Sequence, residues 1–199
     1  MAQVEAFNRW DCSNIKVEDP GLQRYINIKP VFVPRTGARY AGNRFHKSRI
    51  FIVERLINKV MNPGHKGKKH KITSGLCTGK STTAYGLVEK AFKIIEQKLK
   101  KNPVEVFVKA LENSAPREEI VAIEYGGARY PKSVECSPQR RIDVALRMMT
   151  QGAYQKAFNS KKKAETCLAD EIIAAYQLSQ SSNAIAKKLE LERQADASK

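Results

Sequence analysis

The sequence predicts a mainly α protein, a single-domain helical bundle of five or six helices with one projecting β-hairpin. Three observations carry that expectation. Apolar residues recur at three- and four-residue spacing over several long stretches. Asn-Pro and Ser-Pro pairs punctuate those stretches where helices stop and start. One Gly-Gly pair, Gly126-Gly127, separates two runs rich in β-branched and aromatic residues. A chain of 199 residues with 42% hydrophobic content is long enough for one domain with a substantial core.

The elements follow in chain order. Residues 1–28 are mixed in character, with a turn signal at Pro20-Gly21, and are expected as an extended or loosely packed arm. Residues 29–180 are expected to form the helical domain. Its first part, 29–45, is loop, broken by Pro30, Pro34, Gly37 and Gly42. A first helix is expected to be capped by Ser48 and stopped by Asn62-Pro63-Gly64. Ile50, Val53, Ile57, Val60 and Met61 form its apolar face, with Arg49, Arg55 and Lys59 opposite. A second helix spans about 82–100, with Ala84, Leu87, Val88, Ala91, Phe92, Ile95 and Leu99 on one side. Asn102-Pro103 ends it and opens a third, in which proline fits the first turn because its missing N–H has no partner there anyway.

The hairpin is expected at about 120–136. Pro131 implies an exposed, edge-like second strand. Ser137-Pro138 begins a fourth helix bearing Ile142, Ala145, Leu146 and Met149, and Gly152 either ends that helix or marks a tight contact. Lys161-Lys162-Lys163 precede a fifth helix, with Ala164, Leu168, Ile172 and Ala175 in register. Residues 181–199 are a polar, helix-prone C-terminal tail that Asn183 is placed to cap.

The net charge is +16, far beyond what solubility needs, and it implies a polyanionic partner. The charge is concentrated. From Lys29 to Lys80 there are thirteen Lys and Arg against one acid, Glu54, and all three histidines lie there. Arg35, Arg39, Arg44, Lys47, Arg49, Lys66, Lys68, Lys69 and Lys71 are interleaved with Gly and with aromatics such as Tyr40 and Phe45. Arginine suits bidentate phosphate contacts, lysine supplies mobile point charge, and glycine lets the backbone approach closely. A merely solvated charged face mixes both signs, and this one does not. Cations spread over loops, helix faces and a hairpin fit an irregular folded RNA better than the regular grooves of a duplex. A generic basic architectural RNA- or DNA-binding protein is the competing reading.

Other classes find little support. No apolar run has transmembrane length and no leader-like segment follows Met1, so the chain reads as intracellular and soluble. Cys12, Cys77, Cys136 and Cys167 are widely spaced and form no metal-ligand pattern with His46, His65 and His70, so neither metal nor disulfide is expected. SGLCTGKST, residues 74–82, imitates a phosphate-binding loop. Only three residues separate Gly75 from Gly79, one short of the spacing that curls backbone N–H groups around a β-phosphate, and no hydrophobic strand precedes it. Lys80 is better read as one more RNA-facing cation. Glu112, Glu118, Glu119, Glu124 and Asp143 have no histidine at a spacing that suggests acid–base work, and neither GxSxG nor HExxH occurs. The chain is expected to be neither an enzyme nor cofactor-dependent.

Six collinear blocks carry a resemblance: IVERLINKVM (52–61), GKKHK (67–71), KNPVEVFVKALENSAPRE (101–118), SPQRRIDVALRMMTQGAYQKAF (137–158), AETCLADEIIAAY (164–176) and SSNAIAKKLELER (181–193). Together they resemble the universal small-subunit ribosomal protein seven family in its archaeal-like form, whose eukaryotic members are numbered five. The resemblance implies a monomeric structural constituent of the small ribosomal subunit, in the cytoplasm. It implies binding to the 3′ domain of small-subunit rRNA, a part in nucleating head assembly, and a place near the exit-site tRNA and the mRNA exit path, beside neighbouring head and platform proteins. It adds Arg117, Arg140 and Arg141 to the rRNA contacts, although Arg141 also suits packing. It puts Gly126, Gly127, Arg129 and Tyr130 at the hairpin end near tRNA and mRNA.

Overall fold

In the computed structural model, residues 4–37, 39, 41–64 and 79–199 are described. Six helices follow in order: α1 (Ile52–Met61), α2 (Ser81–Leu99), α3 (Pro103–Ser114), α4 (Pro138–Ala157), α5 (Ala164–Tyr176) and α6 (Asn183–Asp196). A two-stranded antiparallel hairpin, β1 (Glu118–Tyr125) and β2 (Ala128–Glu135), stands between α3 and α4. The expected class, mainly α with one hairpin, is the observed one.

At the junction of α2 and α3 the helix signals act as the sequence implies, whereas Ser137 precedes α4 without a side-chain cap hydrogen bond. Asn102 caps α3, its Oδ1 accepting from Val104 N at 3.0 Å, and Pro103 occupies the first turn. Lys100, in the left-handed region at φ 53°, closes α2. The bundle is organised around α5, which packs against α2, α3 and α4. It buries Cys167, Leu168, Ala169, Glu171, Ile172 and Ala175, which lie on more than one side of the helix. Phe92, Phe107, Ile95, Leu111, Ile142, Leu146, Met149 and Ile172 are fully buried and form one contiguous core. Each such side chain contributes about 1.5–3 kcal/mol of burial.

The first helix departs from expectation. Residues His46–Arg49 form a separate 3-10 turn, Ile50 is extended, and α1 starts at Ile52. The cause is a long-range pairing. Ile52 N donates to Asn27 O at 2.8 Å, and Asn27 Nδ2 donates to Arg49 O, so residues 50–51 are drawn out beside residues 26–28. Ser48 therefore caps nothing; its hydroxyl is buried without a partner among the described residues. Nor does α1 have a solvent face over its first six residues: Ile52 to Ile57 are all buried, Glu54 and Arg55 included, and only Asn58 to Met61 are half-buried. Gly152 does not end α4, which continues to Ala157. It marks a tight contact, since a Cβ there would stand 2.8 Å from Asn183 Cβ and 3.0 Å from Glu171 Cδ.

Residues 4–28 have no helix and only isolated bridges, but they fold through turns at 7–9 and 20–25 and are not loosely packed. Trp10 and Leu22 are buried in the common core. Phe7 meets Tyr85 at 4.7 Å between ring centroids, and Trp10 meets Phe92 edge-on at 5.9 Å. Large aromatic area secures a segment with few backbone bonds of its own. Polar clasps add to it. Glu112 accepts Glu18 N at 2.6 Å, and Asp19 accepts Arg141 Nη2 at 2.7 Å and Gly21 N at 2.8 Å.

Burial alone pushes the Asp19 carboxyl up, but the Arg141 and Gly21 hydrogen bonds outweigh it and hold the group below the ordinary carboxylate range. A depressed carboxylate stabilises the fold above its unfolded pKa, and that stability is lost as pH falls through the folded value. Asp19→Asn is therefore expected to cost roughly 1–3 kcal/mol at pH 7. The gap to the parent protein should close below about pH 4. Urea unfolding at pH 7 and pH 3 checks both parts; an equal gap at the two values would refute the ionic role.

Turn chemistry defines the hairpin. Gly126 (φ 59°) and Gly127 (φ 83°) both occupy the left-handed region, which a two-residue type I′ connection requires, and Tyr125 pairs with Ala128 across it. Every residue from 121 to 132 is exposed. Among the described residues the hairpin is held only at its base. There Cys136 N donates to Arg117 O at 2.8 Å, Arg117 N donates to Glu192 Oε1 of α6 at 3.1 Å, and Lys199 Nζ bridges Glu118 at 2.8 Å and Asp196 at 2.9 Å.

Candidate nucleic-acid interface

The described residues of 29–49 contain no strand and no α-helix, so side chains must hold them in place. The principal anchor is Glu54, the single acid of the cationic stretch. It is buried in α1 and accepts Thr36 N at 2.8 Å and Thr36 Oγ1 at 2.7 Å. The contact pins the loop between Arg35 and Arg39, both of which stay exposed. A second anchor comes from α4: Gln139 Nε2 donates to Arg44 O at 3.1 Å, leaving the Arg44 side chain outside. A third is Asp143, also on α4, which pairs with Lys47 and, at 3.0 Å, with Arg55 Nη2. The start of α4 thus gathers the 44–55 region around itself.

The cations fall into two groups. Arg35, Arg39, Arg44, Arg49 and Arg117 are exposed, and no ion pair engages them among the described residues. Lys80 is half-buried just before α2. The others are committed internally. Lys47 is paired with Asp143. Arg140 grips Glu119 at the hairpin base with two contacts of 2.5 and 2.6 Å, while half of its side chain remains exposed. Arg141 is only 11% exposed; it donates to Asp19 and, through Nε, to Pro116 O at 3.1 Å. That is the geometry of a packing residue. Lys66, Lys68, Lys69 and Lys71 lie outside the described residues, as do His65, His70, Tyr40 and Cys77.

Exposed apolar groups are interleaved with the free cations. Phe32 is 74% exposed and Phe45 57%; on the hairpin Tyr125 is 81% and Tyr130 59%, beside Arg129 and the Gly-Gly turn. Flat faces among arginines suit stacking on unpaired bases. Composition singled out Phe45 and Tyr130 but not Phe32, whose signal is an aromatic residue between two valines in a proline-rich loop, with no apolar periodicity to bury it. Burial pushes the thiols of Cys12 and Cys136 up to about 11, and that of Cys167 upward too, which makes them poor nucleophiles. Among the described residues no group of His, Cys, Asp and Glu is arranged to hold a metal ion, and no helix is long and apolar enough to cross a membrane.

Exposed guanidinium groups on an irregular surface, their loop segments held from behind by Glu54, Gln139 and Asp143, are the surface that a polyanion-binding helical protein presents. Comparison with known families narrows this. The family model described as "Ribosomal protein S7p/S5e" matches residues 22–199, and the chain belongs to that family. It is similar to the small ribosomal subunit protein uS7 of Nanoarchaeum equitans, with 51% identity over 99% of this chain and 100% of the relative. The uS7 proteins of Archaeoglobus fulgidus (47% identity, 99% of this chain, 96% of the relative) and Methanothrix thermoacetophila (43%, 98%, 100%) are similar along nearly their whole length.

Proposed function

We propose that this chain is a structural constituent of the small ribosomal subunit, acting in the cytoplasm as an rRNA-binding protein and not as an enzyme. The observation that carries the reading is the end-to-end match to archaeal relatives named small ribosomal subunit protein uS7. The charge distribution supports it independently, since a folded RNA supplies the anion that exposed Arg35, Arg39, Arg44, Arg49 and Arg117 demand.

The target is the 3′ domain of small-subunit rRNA, and binding there nucleates the head. Lys80 and the cations of residues 66–71 extend the same surface. Lys47 and Arg140 face RNA with the donors their carboxylates leave over, and Arg141 acts through its packing. The hairpin end, with Gly126, Gly127, Arg129 and Tyr130, faces the exit-site tRNA and the outgoing mRNA. Head and platform proteins are the neighbours.

The test is binding of the full chain to a transcribed 3′-domain fragment across a salt series, with duplex DNA and unrelated RNA as competitors. Neutralising about ten phosphates gives an expected log–log slope on the order of −7 to −9. Binding that survives competition supports the assignment. Equal affinity for every polyanion would leave only a basic architectural binder.

A further inference from the structure

A second aromatic feature lies outside this surface, where the ends of α1, α4 and α5 meet the side of α2. Val60, Leu87, Ala153, Tyr154, Phe158 and Leu168 line an apolar cleft of about 200 Å³. That is below the roughly 300–1,000 Å³ of pockets that take a drug-sized ligand. A volume of this size matches one ring system and is smaller than a docked helix needs. Its aromatic wall is prearranged: Tyr154 and Phe158 lie 6.0 Å apart with ring planes 28° from parallel, and Phe158 is 53% exposed.

The rim supplies the second half of the argument. The connection from Phe158 to Ala164, both lining residues, carries Lys161, Lys162 and Lys163. All three are exposed and carry no ion pair among the described residues; Glu165 is the acid nearest in sequence. Lys156, one turn away, is already committed to Glu171 and Ser181 O. A flat apolar slot beside three free ammonium groups asks for an occupant that is planar and apolar at one end and anionic at the other. An unpaired nucleotide has that form. An aliphatic side chain from a protein partner would fill the slot but leave the lysines unanswered.

We infer that this cleft holds a single unstacked base of the bound RNA, with the base against Phe158 and Tyr154 and the flanking phosphates on Lys161–Lys163. The inference rests on the rRNA-binding reading above. It adds a stacking site that charge alone does not reveal, because stacking contributes affinity without changing the number of phosphates neutralised.

The experiment uses the full chain and the same 3′-domain transcript, titrated at several salt concentrations. Phe158→Ala is expected to weaken binding about tenfold with an unchanged salt slope, and Phe158→Tyr to restore it. Replacing Lys161, Lys162 and Lys163 by alanine is expected to flatten the slope by about two. If base and phosphates belong to one nucleotide, combining the two changes should cost less than the product of the separate losses. Thermal melts confirm that Phe158→Ala remains folded, and Phe158→Leu, which keeps apolar bulk without a flat face, serves if it does not. A parent protein with no preference for the transcript would defeat the ribosomal reading itself. A parent that binds specifically, with Phe158→Ala and Phe158→Leu both within twofold of it, would overturn the stacking site alone and point to a protein occupant.

Discussion

Replacing Glu171 by alanine is expected to release the N-terminus of α6 and to cost about 2–4 kcal/mol. Glu171 is fully buried on α5. Its Oε1 accepts Ser182 Oγ at 2.9 Å and Asn183 N at 2.6 Å, and its Oε2 accepts Lys156 Nζ at 2.6 Å. Neither Ser182 nor Asn183 caps its own helix; the cap is supplied from another one. Removing the carboxylate strands donors at the start of α6 and leaves Lys156 without its partner, so several penalties fall together. The Lys156 side chain is 42% exposed, which moderates the electrostatic share. Glu171→Gln keeps one acceptor and the shape, and about half the loss is expected. Urea unfolding measures the total. Hydrogen exchange should show residues 183–196 opening separately in the alanine variant; uniform opening of the whole chain would contradict a local latch.

Asp143→Ala is expected to be more damaging, at about 3–5 kcal/mol. The Arg55 side chain is 6% exposed, meets Asp143 at 3.0 Å and donates to the Tyr25 carbonyl at 3.4 Å, so Asp143 supplies a carboxylate to a buried charge. Leaving a desolvated guanidinium without its carboxylate costs far more than the pair itself contributes. The double variant Arg55→Met/Asp143→Leu should therefore recover most of the loss. If the double variant is as unstable as the single one, the cost lies in packing and not in stranded charge. Lys47 loses its tether in both variants, so RNA affinity and stability should be measured side by side.

These sites show where sequence reading reaches and where it stops. Helices α2 to α5, the Asn102-Pro103 junction and the Gly126-Gly127 turn were legible because their signals are local: a 3.6-residue period, a cap, a positive φ. Arg55 was misplaced on a solvent face because the partner that permits its burial lies on another helix, 88 positions away. The start of α1 was misread for the same reason, since Asn27 draws out residues 50–51 and no local signal announces it. The arm's packing depends on Trp10 finding Phe92. On the candidate surface, Arg35, Arg39, Arg44 and Arg49 were visible as composition, and Arg117 only through the family resemblance. The acids and amides that hold them were not, because Glu54, Gln139 and Asp143 acquire their roles only when the chain closes around them.

The anchoring of the hairpin has a mechanical consequence. Eight residues per strand give an arm of roughly 27 Å, with every fastening among the described residues at one end. Such a cantilever magnifies error, for about 5° of tilt at the root carries the far end through roughly 2 Å, enough to lose a hydrogen bond. The root is braced by Glu192 and Lys199, which belong to α6 and the residues just beyond it. The orientation of Tyr130 and Arg129 is thus fixed at the root, by α6 and by Arg140 of α4 on Glu119, and Glu171, which latches the opposite end of α6, contributes to it.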